Sequence, residues 1–232
     1  YSMTDNNHFM SSVADLMAGL MVIFMFIAIA YMYEIKDVIN GVIYITEGYQ
    51  DTEQSLYEEL YKELKNDLED WNAYIDAKTL SVVFKEPDIL FEKGKYKIKP
   101  RFKMILNDFF PRYVEVLNSK NFRTNVTSIR VEGHTSSEWR KTTPERESYL
   151  NNMELSQQRA SEVLTYVLET NLNGSYPWVR DRLQAVGYSF SKTKVKDDGK
   201  EDKKLSRRVE FKIVTNTREQ IQDVINLINK DA

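Results

Sequence analysis

Thr127-Ser-Ile-Arg-Val-Glu-Gly-His-Thr135, and after it Asn152-Met-Glu-Leu-Ser-Gln-Gln-Arg-Ala160, decide the fold. The first run alternates apolar and polar residues as a strand does, and stops at Gly133. The second leads into a helical pattern from Leu155 to Leu168, with Asn152 placed to act as its N-cap. Leu183-Gln-Ala-Val-Gly187 then reads as a short strand entering a turn, and Arg207-Arg-Val-Glu-Phe-Lys-Ile-Val214 as the last strand. Upstream, Leu80-Ser-Val-Val-Phe84 is β-branched and aromatic, and Glu86-Pro87-Asp88 breaks it. Pro100 opens a helix through Phe102, Ile105, Leu106, Phe109 and Phe110 to Tyr113, Val116 and Leu117. Lys192 to Lys204 is charged and reads as an exposed loop. Thr217 and Gln220 form a capping box ahead of an apolar stripe of Ile221, Val224, Ile225 and Ile228. The sum is an α/β (α+β) domain over residues 79–232, with helices packed on a small mixed sheet.

Before that domain the chain is helical throughout. Ile35, Val38, Ile39, Val42 and Ile43 recur at helical spacing. Leu56, Leu60, Leu64 and Leu68 follow every fourth residue, with Trp71 and Ile75 beyond. This predicts a long amphipathic helix over 34–78, packing on a second copy or on the following domain. Residues 9–33, Phe9 to Tyr33, contain no Lys, Arg or Glu, and one acid, Asp15. At 1.5 Å per residue, roughly 20 residues cross the hydrocarbon of a bilayer. Residues 1–8 are left as a short tail on the other side.

Asp15 carries the sharpest functional signal. An ionised carboxylate in hydrocarbon costs a few kcal/mol or more, so the membrane favours the neutral acid. Such a group can take a proton from one side and release it to the other. Ser11, Ser12, Asp15, Ala18, Gly19 and Val22 share one helix face, small and polar enough for another helix to approach. Two readings stay open. Asp15 lies within the span, or the span begins at Leu16 and Asp15 is a first-turn residue favoured by the helix dipole. A cleaved leader competes as well, since Ala28-Ile-Ala30 resembles a cleavage site. However, residues 1–15 hold Asp5 and Asp15 and lack the basic residues that a leader requires. The chain opens Tyr1-Ser2-Met3, an opening consistent with a native start elsewhere.

Composition narrows the function classes. A net charge of −3 gives no electrostatic case for nucleic acid. Cysteine is absent, which excludes disulfides and thiolate metal sites. With 2 His and no Gly-rich phosphate loop, no enzyme active site, metal-ligand set or cofactor motif is recognisable. His134 reads as a structural hydrogen-bonding residue rather than a metal ligand.

Ile129-Arg-Val-Glu-Gly-His-Thr135, Asn152-Met-Glu-Leu-Ser-Gln-Gln-Arg-Ala160, Val186-Gly-Tyr188 and Ser206-Arg-Arg-Val-Glu-Phe211 together resemble the signature of OmpA-like peptidoglycan-binding domains. In that family the fold holds the diaminopimelate end of the peptide stem. The resemblance implies that Arg159 meets the ligand carboxylate, and that Asn152 and Leu155 line the same pocket. Arg207, first of the Arg-Arg-Val run, is a weaker carry-over. Asn152 as a cap, Leu155 as packing and Arg207 as a strand-edge partner are the structural alternatives. The family places an acid after Gly-His-Thr to meet the ligand's ammonium, but here that position is Ser136. The segment 137–151 is longer than usual and carries Glu138, Trp139, Glu145, Glu147 and Tyr149, of which an acid is a candidate substitute.

Val13-Ala-Asp15-Leu-Met-Ala-Gly-Leu-Met-Val-Ile-Phe24 resembles the membrane helix of B subunits of ion-driven motors such as MotB and, more distantly, ExbD and TolR. Among these, Gly133-His-Thr-Ser-Ser-Glu-Trp139 and the insertion before Asn152 look most like the ZorB family of Zorya anti-phage systems. The resemblance implies a proton-carrying Asp15, a homodimer within five A-type membrane subunits and a peptidoglycan-gripping domain. It also implies a single-pass inner-membrane topology, with the N-terminus cytoplasmic and the domain periplasmic. Flagellar motility and a purely structural wall tether are the alternatives.

Overall fold

The leucines at 56, 60 and 64 are fully buried, and they mark where the folded domain begins. The computed structural model describes residues 3–217 other than 86–89, 93, 140–141, 170–171 and 173. The chain up to Tyr49 belongs to one compact unit, and Gln50–Arg218 form another. Helix α1 (Met3–Leu64) enters the second unit with its leucine stripe already in the core. Of the two expected uses of this helix, a second copy or the following domain, its last part takes the second and is an element of the domain.

The helix ends at Leu64, short of the expected 78. Turns follow, and strand β1 (Ala73–Asp76) pairs antiparallel with β2 (Ser81–Lys85), Ala73 opposite Phe84. A free strand edge outweighs helix propensity here, because pairing satisfies backbone groups that the sheet would otherwise leave open. Asn72 has φ of 52°, a left-handed value that Asn tolerates better than most residues. Trp71, in the turns after the helix, packs edge-on against Phe109.

Helix α2 (Pro100–Leu117) begins at Pro100, as its sequence predicts. It buries Phe102, Ile105, Leu106, Phe109, Phe110, Tyr113, Val114 and Leu117. Strand β3 (Val126–His134) leads to helix α3 (Glu145–Leu168), a short helix α4 (Tyr176–Arg180) and strand β4 (Leu183–Gly187). A one-turn helix α5 (Lys203–Ser206) precedes strand β5 (Arg208–Thr215). The sheet order is β1-β2-β5-β3-β4. Among the described strands only β3 and β4 pair in parallel, joined by the α3 crossover that parallel strands require. Between β4 and β5, residues 192–204 are largely exposed, as expected, and fold back through a Val195–Glu201 bridge. The helix expected after Thr217 lies outside the described residues.

Val82, Phe84, Ile129, Val131, Val209, Phe211 and Ile213 alternate inward and meet α2 and α3. Phe84, Phe109, Tyr113 and Phe211 form the centre, with ring centroids 5.0 to 6.0 Å apart and mostly edge-to-face. The Tyr113 hydroxyl has no hydrogen-bond partner, and burial pushes it well above the usual phenol range.

Arg112 fastens the end of α1 to α2. Its guanidinium donates to the Glu63 carboxylate (2.7 Å), the Glu63 carbonyl (2.6 Å), Asp67 (3.0 Å) and Asp108 (3.3 Å). Burial opposes its charge, but Glu63 and Asp67 outweigh that and hold the proton more firmly than usual.

Candidate functional site

Two glycines allow α3 to lie directly on the sheet. A Cβ on Gly133 would sit 2.3 Å from the Ser156 carbonyl oxygen, and one on Gly187 2.5 Å from the Gln157 nitrogen. The side chains of α3 then reach the backbone of the strands. Gln157 accepts from the Gly187 amide at 2.7 Å and donates to the Ala185 carbonyl at 3.2 Å. The Ser189 amide donates to Ser156 Oγ at 3.0 Å, and Ser189 Oγ donates to the Tyr149 carbonyl at 2.8 Å.

The buried face of α3 changes character along its length. Ser148, Asn152, Ser156 and Arg159 are polar, and Ala160, Val163 and Val167 are not. The apolar half closes the core, so the polar half stands where the sheet ends. Asn152 is inside the helix and not its cap, because α3 begins seven residues earlier at Glu145. Its side chain is 2% exposed and its Nδ2 has no hydrogen-bond partner, an unsatisfied donor that costs roughly 1–3 kcal/mol. Leu155 is half-buried. Arg159 is buried; its Nε donates to the Lys95 carbonyl at 2.9 Å, and the guanidinium lies 4.9 Å from the centre of the Phe91 ring.

Ser136 is buried just beyond β3, and the Thr135 hydroxyl beside it has no partner. Tyr149 is half-buried and packs edge-on against Phe190. Arg207 is half-exposed and pairs with Glu138 of the insertion at 3.7 Å. The insertion frames its own cavity of ≈ 440 Å³, lined by Glu138, Trp139, Glu145, Phe190 and Lys203 among others. Glu138 also lies 4.0 Å from Lys203, so this insertion acid is already facing two cations. Helix α3 thus carries Asn152, Leu155 and Arg159 on neighbouring faces, whereas Arg207 is engaged with the insertion.

The opposite face of the sheet holds a cluster that the sequence reading missed. Glu132 and His134 on β3 stand across from Glu210 and Arg208 on β5. All four are less than a tenth exposed. Arg208 Nε donates to Glu210 Oε1 at 2.5 Å. His134 stacks on Tyr188 with ring centroids 5.1 Å apart and planes 6° from parallel. Neither of its ring nitrogens makes a hydrogen bond, which corrects the expectation of a hydrogen-bonding histidine. Burial pushes His134 below its ordinary value, and the Glu132 carboxylate only partly offsets this. Burial also opposes ionisation of Glu132, but His134, Lys192 and Lys212 outweigh it and hold the carboxyl below the usual range. The signal was present in the alternation: Glu132 and His134, then Arg208 and Glu210, put charge on one face of strands whose other face is core.

In the N-terminal unit, Ser12–Lys36 is a 25-residue helical stretch of mean hydropathy 2.5, long and apolar enough to cross a membrane. None of it is buried within the chain, and Asp15 is exposed on its surface. So long a run of exposed Leu, Met, Ile and Phe calls for lipid or another apolar helix around it.

Residues 90–207 match the OmpA family. The chain is 46% identical over 222 residues to the Zorya protein ZorB of Escherichia coli, covering 95% of this chain and 93% of that one. Similar solved structures include the cell wall anchor of the T6SS from Pseudomonas aeruginosa, at 22% identity and a TM-score of 0.45, covering 67% of this chain and 96% of that one. A MotB-like protein from Desulfovibrio vulgaris is 19% identical with a TM-score of 0.49, covering 72% and 96%. By its identity along nearly the whole length, the chain belongs to the ZorB family of Zorya proteins, and its C-terminal domain is an OmpA-family domain.

Proposed function

We propose that this chain is the B subunit of a proton-driven inner-membrane motor, anchored to peptidoglycan and acting in anti-phage defence. The observation that carries this reading is a single acid, Asp15, in an apolar helix of a chain that matches ZorB along 95% of its length. Asp15 takes up and releases the proton. Two copies of this chain pair within five A-type subunits, and the small polar face around Asp15 meets a neighbouring helix rather than lipid. The chain crosses the inner membrane once, over about 9–33, with its N-terminus in the cytoplasm. The domain stands in the periplasm and grips peptidoglycan through the polar half of α3. Arg159 supplies the charge for a stem-peptide carboxylate, Asn152 offers its unpaired amide, and Leu155, Tyr149 and Ser136 shape the rest. Arg207, held by Glu138, acts from the edge. Work comes from ion flow, and the chain performs no bond chemistry of its own.

The test is phage plating on cells carrying the native gene cluster, with membrane levels of the protein matched. Asp15→Asn keeps size and polarity but cannot cycle a charge, so protection is lost while the subunits still assemble. Full protection by Asp15→Asn refutes the proton-relay role and leaves a wall tether. Arg159→Ala is expected to lose sedimentation with purified peptidoglycan sacculi by tenfold or more, as loss of a charge-assisted pair of about 1.5–3 kcal/mol requires.

A further inference from the structure

On the face of the sheet turned away from α3, Glu132, His134 and Glu210 converge. His134 Nε2 stands 3.5 Å from Glu132 Oε2 and 3.8 Å from Glu210 Oε1. One ligand-type atom from each of the three residues lies within 4.8 Å of the others. We propose that Glu132, His134 and Glu210 form a binding site for one divalent transition-metal ion of the zinc class.

Three observations support the site. The first is the imidazole, which is 2% exposed, makes no hydrogen bond through either nitrogen and points Nε2 between two carboxylates. Nε2 faces two carboxylate oxygens at distances too long for good hydrogen bonds, and an ion between them gives all three atoms a partner. The second is spacing. Ligands at 2.0–2.2 Å in a tetrahedron are about 3.4 Å apart, so His134 Nε2 already stands near that spacing from each carboxylate, and side-chain rotation of the two glutamates closes what remains within the 4.8 Å cluster. The third is charge. Glu132 and Glu210 are direct cross-strand partners, both buried, and like charges so placed repel. Arg208 bonds Glu210, and a divalent ion between the two carboxylates removes the repulsion.

The groups around the three residues hold the ligating atoms in place. Tyr188 stacks on the His134 ring and fixes its plane, and its hydroxyl approaches Glu132 Oε1 at 3.4 Å, leaving Oε2 to the ion. Arg208 orients Glu210, whose bonded oxygen retains a lone pair. One imidazole and two carboxylates are a borderline set, suited to zinc and its first-row neighbours. A cavity of ≈ 200 Å³ opens onto the three residues and provides an entry path and room for a water as fourth ligand. Asp76 lines it, and so do Lys192, Lys194 and Lys212, whose charge opposes a cation and sets the affinity at a moderate level.

The test uses the full-length chain in detergent, stripped with a chelator and then titrated with zinc chloride. The expected result is one ion per chain by equilibrium dialysis, and a domain melting temperature raised by about 5–10 °C at hundredfold excess over Kd. Glu132→Gln and His134→Gln should abolish the shift, whereas Asp76→Asn, in the same cavity, should keep it. Cobalt(II) gives a second readout that needs no variant: the intense visible bands of a tetrahedral site. No shift, an equal shift in the Gln variants, or cobalt spectra of the aquo ion alone would overturn the proposal. It is independent of the motor reading, since neither Asp15 nor peptidoglycan enters the measurement.

Discussion

Leu60→Ala is expected to destabilise the OmpA-family domain although Leu60 lies on the same helix as the apolar N-terminal stretch. Its side chain is 0% exposed, in one core with Leu56, Leu64, Phe109 and Phe211. The substitution removes the branched end of the side chain and leaves a cavity that the flanking leucines, fixed on the same helix, cannot close. Leu→Ala at such sites costs about 3 kcal/mol, with a range of about 2.7–5. For a domain of this size each kcal/mol moves the melting temperature by about 2–4 °C, so a fall of about 6–12 °C is expected. The assay is a near-ultraviolet circular dichroism melt of the full chain in detergent, reporting on Trp71 and Trp178, both buried in the domain. Tyr61→Ala is the control. Tyr61 is 47% exposed and stacks on Tyr57 at 6.0 Å, so its loss should cost less than about 1 kcal/mol. Equal melting temperatures for the two variants, or a shift below 1 °C for Leu60→Ala, would refute the placement of this helix end in the core. The same reasoning predicts that a fragment beginning at residue 79, which lacks the leucines and β1, melts without a cooperative transition.

Gly133→Ala places a methyl against the backbone of α3, where nothing can rotate away. A cost of about 3 kcal/mol or more is expected, with loss of soluble expression as the first readout, while Gly174→Asn, at a φ of 82° in open space, should change stability by less than about 1 kcal/mol. Arg112→Met leaves Glu63, Asp67 and Asp108 facing one another. As these groups are partly exposed, a loss of about 1–2 kcal/mol in urea titrations is expected, shrinking as salt rises.

What could be read from the chain alone were the features that depend on near neighbours. The membrane-length apolar run with one acid, the Pro100 start of α2, the strands at 81–85, 126–134, 183–187 and 208–215, and the run around Arg159 all declare themselves through local period and punctuation. What tertiary structure decided were the places where a distant partner outbids local preference. The leucine stripe at 56–64 would serve a contact with a second copy equally well, and only packing into the domain makes it core. Residues 73–76 follow a helical pattern, yet the open edge of β2 takes them as a strand. Asn152 has the chemistry of a cap, but the helix extends back to Glu145 and buries it. His134, Glu132 and Glu210 are far apart along the chain in two groups, and no periodicity announces that β3 and β5 lie side by side in a register that sets them face to face. Period and punctuation act over a few residues, whereas burial and charge clustering are sums over neighbours that only the folded sheet brings within a few ångströms.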